Sequence, residues 1–229
     1  MTTPVICVDG PSGAGKGTLS QQLAETLGWH LLDSGALYRV VGHACVLSGV
    51  DWQDETAVTE VARGLDVVFQ AQGDGVGVLL GGEDVSRAIR SEQGSLGASA
   101  VALLPRVRGA LLERQREMAA PPGLVADGRD MGTVVFPNAP LKIFLTASAE
   151  ARAERRRAQL LARGEDVSLP RLLATITERD ARDSTRSVSP LLPADDAVVI
   201  DSSSLSVQAV MERVMECVVV RGLKSQGPS

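Results

Sequence analysis

Of the 23 cationic residues in this 229-residue chain only three, Lys16, Lys142 and Lys224, are lysines. The three cysteines (Cys7, Cys45, Cys217) are widely spaced and contain no C-x-x-C pair. That spacing excludes a disulfide framework and a zinc knuckle, and a reducing cytoplasm is the expected setting. No apolar run approaches the ~20 residues a membrane-spanning helix needs. Residues 1–10 show no basic segment ahead of a hydrophobic core, so no secretory signal and no membrane association are expected. A net charge of −5 argues against a surface that grips polymeric nucleic acid. The 44% apolar and 22% charged composition is that of a buried globule, and 23 glycines without a G-x-y period exclude collagen.

The remaining cations are arginines. Codon usage accounts for many arginines as readily as function does. Where they cluster, planar guanidinium groups suit paired contacts to phosphate oxygens.

Short apolar runs at Pro4–Val8, Trp29–Leu32, Leu124–Ala126, Leu141–Leu145 and Ala197–Ile200 read as buried strands. Helical periodicity separates most of them, over Gly15–Leu27, after Ser34, from Pro105 to Met118, after Ser148, over Pro170–Ser184 and over Ser206–Val220. The pattern predicts an α/β fold with a parallel sheet flanked by helices and a ligand crevice at the carboxyl ends of the strands. Asp9, Asp33, Asp127 and Asp201 fall at those ends. Leu65–Gln70 and Val76–Leu80, around Gly73-Asp74-Gly75, predict a hairpin. One domain is expected over residues 1–222, with residues 223–229 as a frayed tail.

Gly10-Pro11-Ser12-Gly13-Ala14-Gly15-Lys16-Gly17-Thr18 stands between the first strand and the first helix, the setting a phosphate loop requires. Glycines let backbone N–H groups wrap an anion, the helix start adds more of them, and Lys16 brings a cation to the β- and γ-phosphates. Gly17 takes the place where a Ser or Thr would meet Mg²⁺. No metal-ligand set is therefore expected, and Mg²⁺ would be held by ATP phosphates and water. The G-K-G-T ending is nearer to nucleoside monophosphate kinases than to GTPases, and no guanine-reading N-K-x-D follows. A dinucleotide loop at Gly73 fails because position 78 is Val78.

Arginines stand beside small polar groups elsewhere: Ser34 with Arg39, Ser99 with Arg108, Arg129-Asp130, and Arg179, Asp183 and Arg186. Arg179, Arg182 and Arg186 share one helical face. On spacing alone that face, and the run Arg152, Arg155, Arg156 and Arg157, could equally be solvated and salt-bridged.

Together, D-G-P-S-G-A-G-K-G-T (Asp9–Thr18), L-L-D-S-G-A-L-Y-R (Leu31–Arg39), G-E-D-V-S (Gly82–Ser86), P-R-V-R (Pro105–Arg108), A-D-G-R-D-M-G-T-V-V-F-P (Ala126–Pro137) and E-R-D-x-R-D-x-x-R (Glu178–Arg186) closely resemble the bacterial-type cytidylate kinase family. Adenylate kinases share G-K-G-T but usually lack the G-R-D-M-G-T stretch. The resemblance implies a P-loop kinase fold with five parallel strands. It also implies a monophosphate-binding insertion at about 35–94 with a small antiparallel sheet, and a short lid at about 152–168. The implied reaction transfers the γ-phosphoryl of ATP to CMP and dCMP in pyrimidine nucleotide metabolism. Gly10 to Thr18 would hold ATP, while Arg39, Arg129, Arg179 and Arg186 would grip the acceptor phosphate. Ser99, Arg108 and Asp130 would read cytosine, Asp183 would face the sugar, and Ser34 and Tyr38 would line the pocket. Lys16, Arg129 and Arg186 would be catalytic, and Arg152, Arg155 and Arg156 would belong to the lid. The partners expected are these small molecules alone, with the protein a monomer. His30 and His43 lie in no motif and read as structural.

Overall fold

Val5–Asp9 (β1) is buried along its whole length, which is why its sequence is a continuous apolar run and not an alternating one. A computed structural model describes residues 3–72, 75–162, 164–186 and 188–223. The elements that follow β1 are Lys16–Leu27 (α1), His30–Asp33 (β2), Ser34–Leu47 (α2), Glu55–Arg63 (α3), Val67–Gln72 (β3), Gly75–Leu80 (β4) and Glu83–Asp84 (β5). Next come Glu92–Val101 (α4), Pro105–Glu117 (α5), Leu124–Gly128 (β6), Leu141–Thr146 (β7), Ala149–Leu161 (α6), Leu169–Ser184 (α7), Val198–Asp201 (β8) and Val207–Val220 (α8). The chain divides into two compact units, Met1–Leu32 with Ala119–Ser229, and Asp33–Met118.

In the first unit the sheet runs β2-β6-β1-β7-β8, with parallel pairing of β1 to β6, β1 to β7 and β7 to β8. The register sets Asp9 of β1 opposite Gly128 of β6, so two strand ends that carry polar groups lie side by side. The core joins Ile6, Val8, Val125, Ile143 and Leu145 of the sheet to Leu19 and Leu23 of α1 and Val210 and Val214 of α8. Serines cap α6 and α8: Ser148 accepts from Ala151 N–H and Ser206 from Ala209 N–H, each at 3.1 Å.

The second unit packs α2, α3, α4 and α5 around Leu37, Val40, Val41, Val58, Val101, Val107 and Leu111. The predicted hairpin is the β3–β4 pair, in antiparallel register from Val67↔Leu80 to Gln72↔Gly75. The expected turn residues Gly73 and Asp74 lie outside the described residues, as do Arg163 of the expected lid and residues 224–229 of the expected tail. A third strand, β5, completes this sheet. Its two residues are exposed and carry no apolar signal, and helices α3 and α4 also lie outside the sequence-level assignments. Among the described residues no single helix is long and apolar enough to cross a membrane.

Candidate active site

The glycine loop is shaped first by what a side chain could not tolerate. A Cβ on Gly10 would collide with the carbonyl of Leu145 on β7, and Gly13 has φ +82° with Arg152 against it. Donors on later elements then hold the loop's carbonyls. Arg152 Nη1 donates to Ser12 O (3.2 Å), Arg155 Nη1 to Ala14 O (3.4 Å) and Ser202 Oγ to Ala14 O (3.0 Å). In a trans peptide the next N–H points opposite to the carbonyl. Fixing the carbonyls of residues 12 and 14 therefore aims the amides of Gly13 and Gly15 the other way, as an anion cradle requires. Lys16 opens α1, is buried, donates to Pro11 O at 3.1 Å and lies 3.8 Å from Asp127 Oδ1.

Asp183 of α7 organises a second cationic group in the same unit. It accepts from Arg129 Nε at 2.5 Å and from Arg186 Nη2. Burial alone would push the Asp183 carboxyl up, but Arg129, Arg186 and Arg179 outweigh it and hold it below the usual carboxylate range. Arg179, four residues before Asp183, donates from Nη1 to Ser12 Oγ at 3.3 Å. The arginine cluster and the glycine loop are thus contiguous. Arg182 is exposed while Arg179 and Arg186 are half-buried, so the face that spacing left open is divided between solvent and site. Arg152 is almost fully buried. Besides Ser12 it holds Ala147 O (2.9 Å) and both carboxylate oxygens of Asp180 (2.9 and 2.5 Å). Arg155 also donates to Ser202, and Arg156 is half-buried on α6. Asp130 is buried.

The second unit holds the other expected residues. Asp33 caps α2 by accepting from Ala36 N–H at 2.8 Å. Ser34, at the first helical position, donates to Gln115 Oε1 on α5 at 2.6 Å. The Arg108 guanidinium stands 5.8 Å from the centroid of the Tyr38 ring, within cation–π range. Arg39 is half-buried on α2, and Ser99 donates to Ser95 O on its own helix at 3.0 Å.

The cytidylate kinase family model matches residues 6–219. The chain belongs to the cytidylate kinase family. Curated relatives with that name extend over nearly the whole length. One from Shewanella frigidimarina is 59% identical over 218 residues, covering 94% of this chain and 95% of the relative. Another, from Photobacterium profundum, is 61% identical over 207 residues, covering 90% and 91%. Among solved structures a gluconokinase from Sinorhizobium meliloti aligns over 99% of both chains at 17% identity and a TM-score of 0.47, too distant to bear on function.

Several groups lay beyond sequence reasoning for this family member. Gln115 and Ser202 are single polar residues in no motif, and Asp180 stands in E-R-D-x-R-D-x-x-R without an assigned role, so only their contacts reveal what they hold. Asp127 was marked by its strand-end position, and its pairing with Lys16 is new. Among the described residues no three His, Cys, Asp or Glu side chains could ligate a metal together. The buried Asp127 carboxylate beside the loop lysine, with Gly17 lacking a hydroxyl, fits an ion held through phosphates and water.

Proposed function

We propose that the protein transfers the γ-phosphoryl group of ATP to CMP and dCMP, giving CDP or dCDP and ADP. Family membership supports the reaction class and the cytidine acceptor. Arg179 is the observation that carries the site: it bonds Ser12 of the donor loop, and its charge reaches the Asp183 carboxylate that holds Arg129 and Arg186. A donor-phosphate cradle and a second anion site are therefore continuous within one unit, as an end-to-end transfer demands.

In this reading Gly10 to Thr18 hold the ATP phosphates and Lys16 turns to the β- and γ-oxygens. Arg39, Arg129, Arg179 and Arg186 grip the acceptor phosphate. Lys16, Arg129 and Arg186 act on the reacting atoms by neutralising charge as it develops. The nucleophile is a phosphate oxygen already anionic at neutral pH, so no general base is needed. Mg²⁺ carried with the ATP phosphates supplies further charge neutralisation when bound. Asp127, beside Lys16, would help to hold that ion through a water.

Asp130 accepts from the N4 amino group of cytosine, where uracil would present an oxygen. Ser99 and Arg108 share the reading of the base, Asp183 faces the sugar, and Ser34 and Tyr38 line the pocket. Arg152, Arg155 and Arg156 serve as lid groups, and Arg152 and Arg155 also brace the loop through the carbonyls of Ser12 and Ala14. The region of residues 35–94 serves the monophosphate. The protein works as a cytoplasmic monomer on small nucleotides, and its charge of −5 disfavours a polyanionic partner. A coupled ADP-release assay over CMP, dCMP, UMP, AMP and GMP tests the reading. Preference for CMP and dCMP is expected, and preference for AMP or GMP overturns it.

A further inference from the structure

Asp9 is the last residue of β1, directly before the glycine loop, and is 5% exposed. Nothing in the mechanism uses it, yet a buried carboxylate is costly unless its oxygens are satisfied. Both are. Met131 N–H donates to Oδ1 and Gly132 N–H to Oδ2, each at 2.8 Å. These amides open a single π-helical turn, Met131–Val135, immediately after Arg129 and Asp130. Within the turn, Val134 and Val135 N–H donate to Asp130 O at 2.9 and 3.1 Å, and Phe136 N–H to Met131 O at 2.7 Å.

The far end of the segment is also held. Lys142 of β7 donates to Pro137 O at 2.6 Å and to Asp196 at 2.8 Å. Its stem packs on Gly132, where a Cβ would come within 3.0 Å of Lys142 Cδ and 3.4 Å of Asp9 Oδ2. Position 132 is thus pressed between the anchor at one end and the anchor at the other.

We propose that Asp9 is a positioning residue for acceptor recognition. Its carboxylate, through the amides of Met131 and Gly132, fixes the backbone from which Arg129 and Asp130 project. The proposal rests on the reading of Arg129 and Asp130 as acceptor-binding groups. Chemistry, more than size, demands a carboxylate here. Asparagine would fill the same volume but accept only one of the two N–H groups, and its own NH₂ would face the second donor. An unpaired buried donor costs enough to move the turn.

Steady-state kinetics of Asp9→Asn, with ATP and CMP varied in turn, test the role. The expected result is a rise of about 10-fold or more in KM for CMP with KM for ATP within about 3-fold of wild type. Discrimination of CMP from UMP should fall in parallel. An unchanged KM for CMP, or an equal rise in both constants, overturns the proposal, since a general structural lesion would move both. Should the variant not fold, amide hydrogen exchange on the wild type decides. Met131 and Gly132 amides protected like those of β1 support the anchor, and exchange at exposed-loop rates overturns it. Wild-type turnover of CMP in the same assay separates failure of this role from failure of the functional reading.

Discussion

Replacing Asp183 by asparagine removes the one negative charge in a cluster of three arginines. The Asp183 side chain is 3% exposed, that of Arg186 8% and that of Arg129 16%, so little water is present to take over. Removing one member of a buried ion pair costs about 3–5 kcal/mol, because the surviving charge stays buried without compensation. Asparagine keeps one acceptor oxygen, which places the expected loss near the lower figure, about 3 kcal/mol. For a chain of this size each kcal/mol moves the melting temperature by about 2–4 °C, so a drop of about 6–12 °C at pH 7 is expected by calorimetry. The pH dependence carries its own signature. Because the folded carboxyl lies below its ordinary range, its stabilisation is fully present above the unfolded value of about 3.9. That stabilisation disappears as pH falls through the lower folded value. The wild type and the variant should therefore converge in strong acid. A gap under about 2 °C at pH 7, or one that persists unchanged below pH 3, would refute the account of Asp183 as the organising anion.

Lys16→Met should lower kcat by about 10²–10³-fold, since in the proposed reaction the lysine acts where charge develops; near-normal turnover would show the loop misread. For Asp130→Asn the CMP-to-UMP ratio of kcat/KM should shrink by about 1–3 kcal/mol of discrimination while the fold survives. Unaltered selectivity would remove the base-reading role. Asp9 supplies a test in the opposite direction from Asp183. Burial lifts its carboxyl to about 6 despite the amides of Gly132 and Met131, with Asp130 raising and Lys16 lowering it, and Cys7 and Lys142 nearby. Folding then takes up a proton between the unfolded value of about 3.9 and about 6, so the stability this group contributes falls as pH rises through that window. Denaturant titrations should show the wild type losing stability relative to Asp9→Asn across pH 4–6 and no further change above pH 7. A flat difference would refute the shift.

The sheet was legible because parallel strands buried on both faces must be apolar runs, and each of the five stood out within a residue or two of its true ends. The hairpin showed itself through β-like runs on either side of a glycine turn. Strand β5 did not, because two exposed acidic residues paired only through backbone leave no side-chain pattern. Helix α4 was hidden by its serines and glycines, residues that weaken helical periodicity, although Ser91 caps it by accepting from Gly94 N–H. At the site, the glycine loop declared itself by spacing, while the contacts around it did not. That Arg179 would reach Ser12 and Arg182 face solvent depends on the rotation of α7, which the arginine spacing alone cannot set. Asp9 carried only a positional hint, since its partners are backbone amides 122 and 123 residues away.

The register Asp9↔Gly128 has a consequence for how much sequence change the site can absorb. Neighbouring strands stand about 4.8 Å apart, a spacing that ladder hydrogen bonds enforce. The segments that leave these two strand ends therefore depart from a common baseline, and each residue along an extended chain is a step of about 3.3 Å. Length variation should be tolerated in the β3–β4 hairpin and at the tip between α6 and α7. A single-residue insertion after Asp9 or after Gly128 would instead displace a group of the proposed phosphate site by more than the reach of a hydrogen bond.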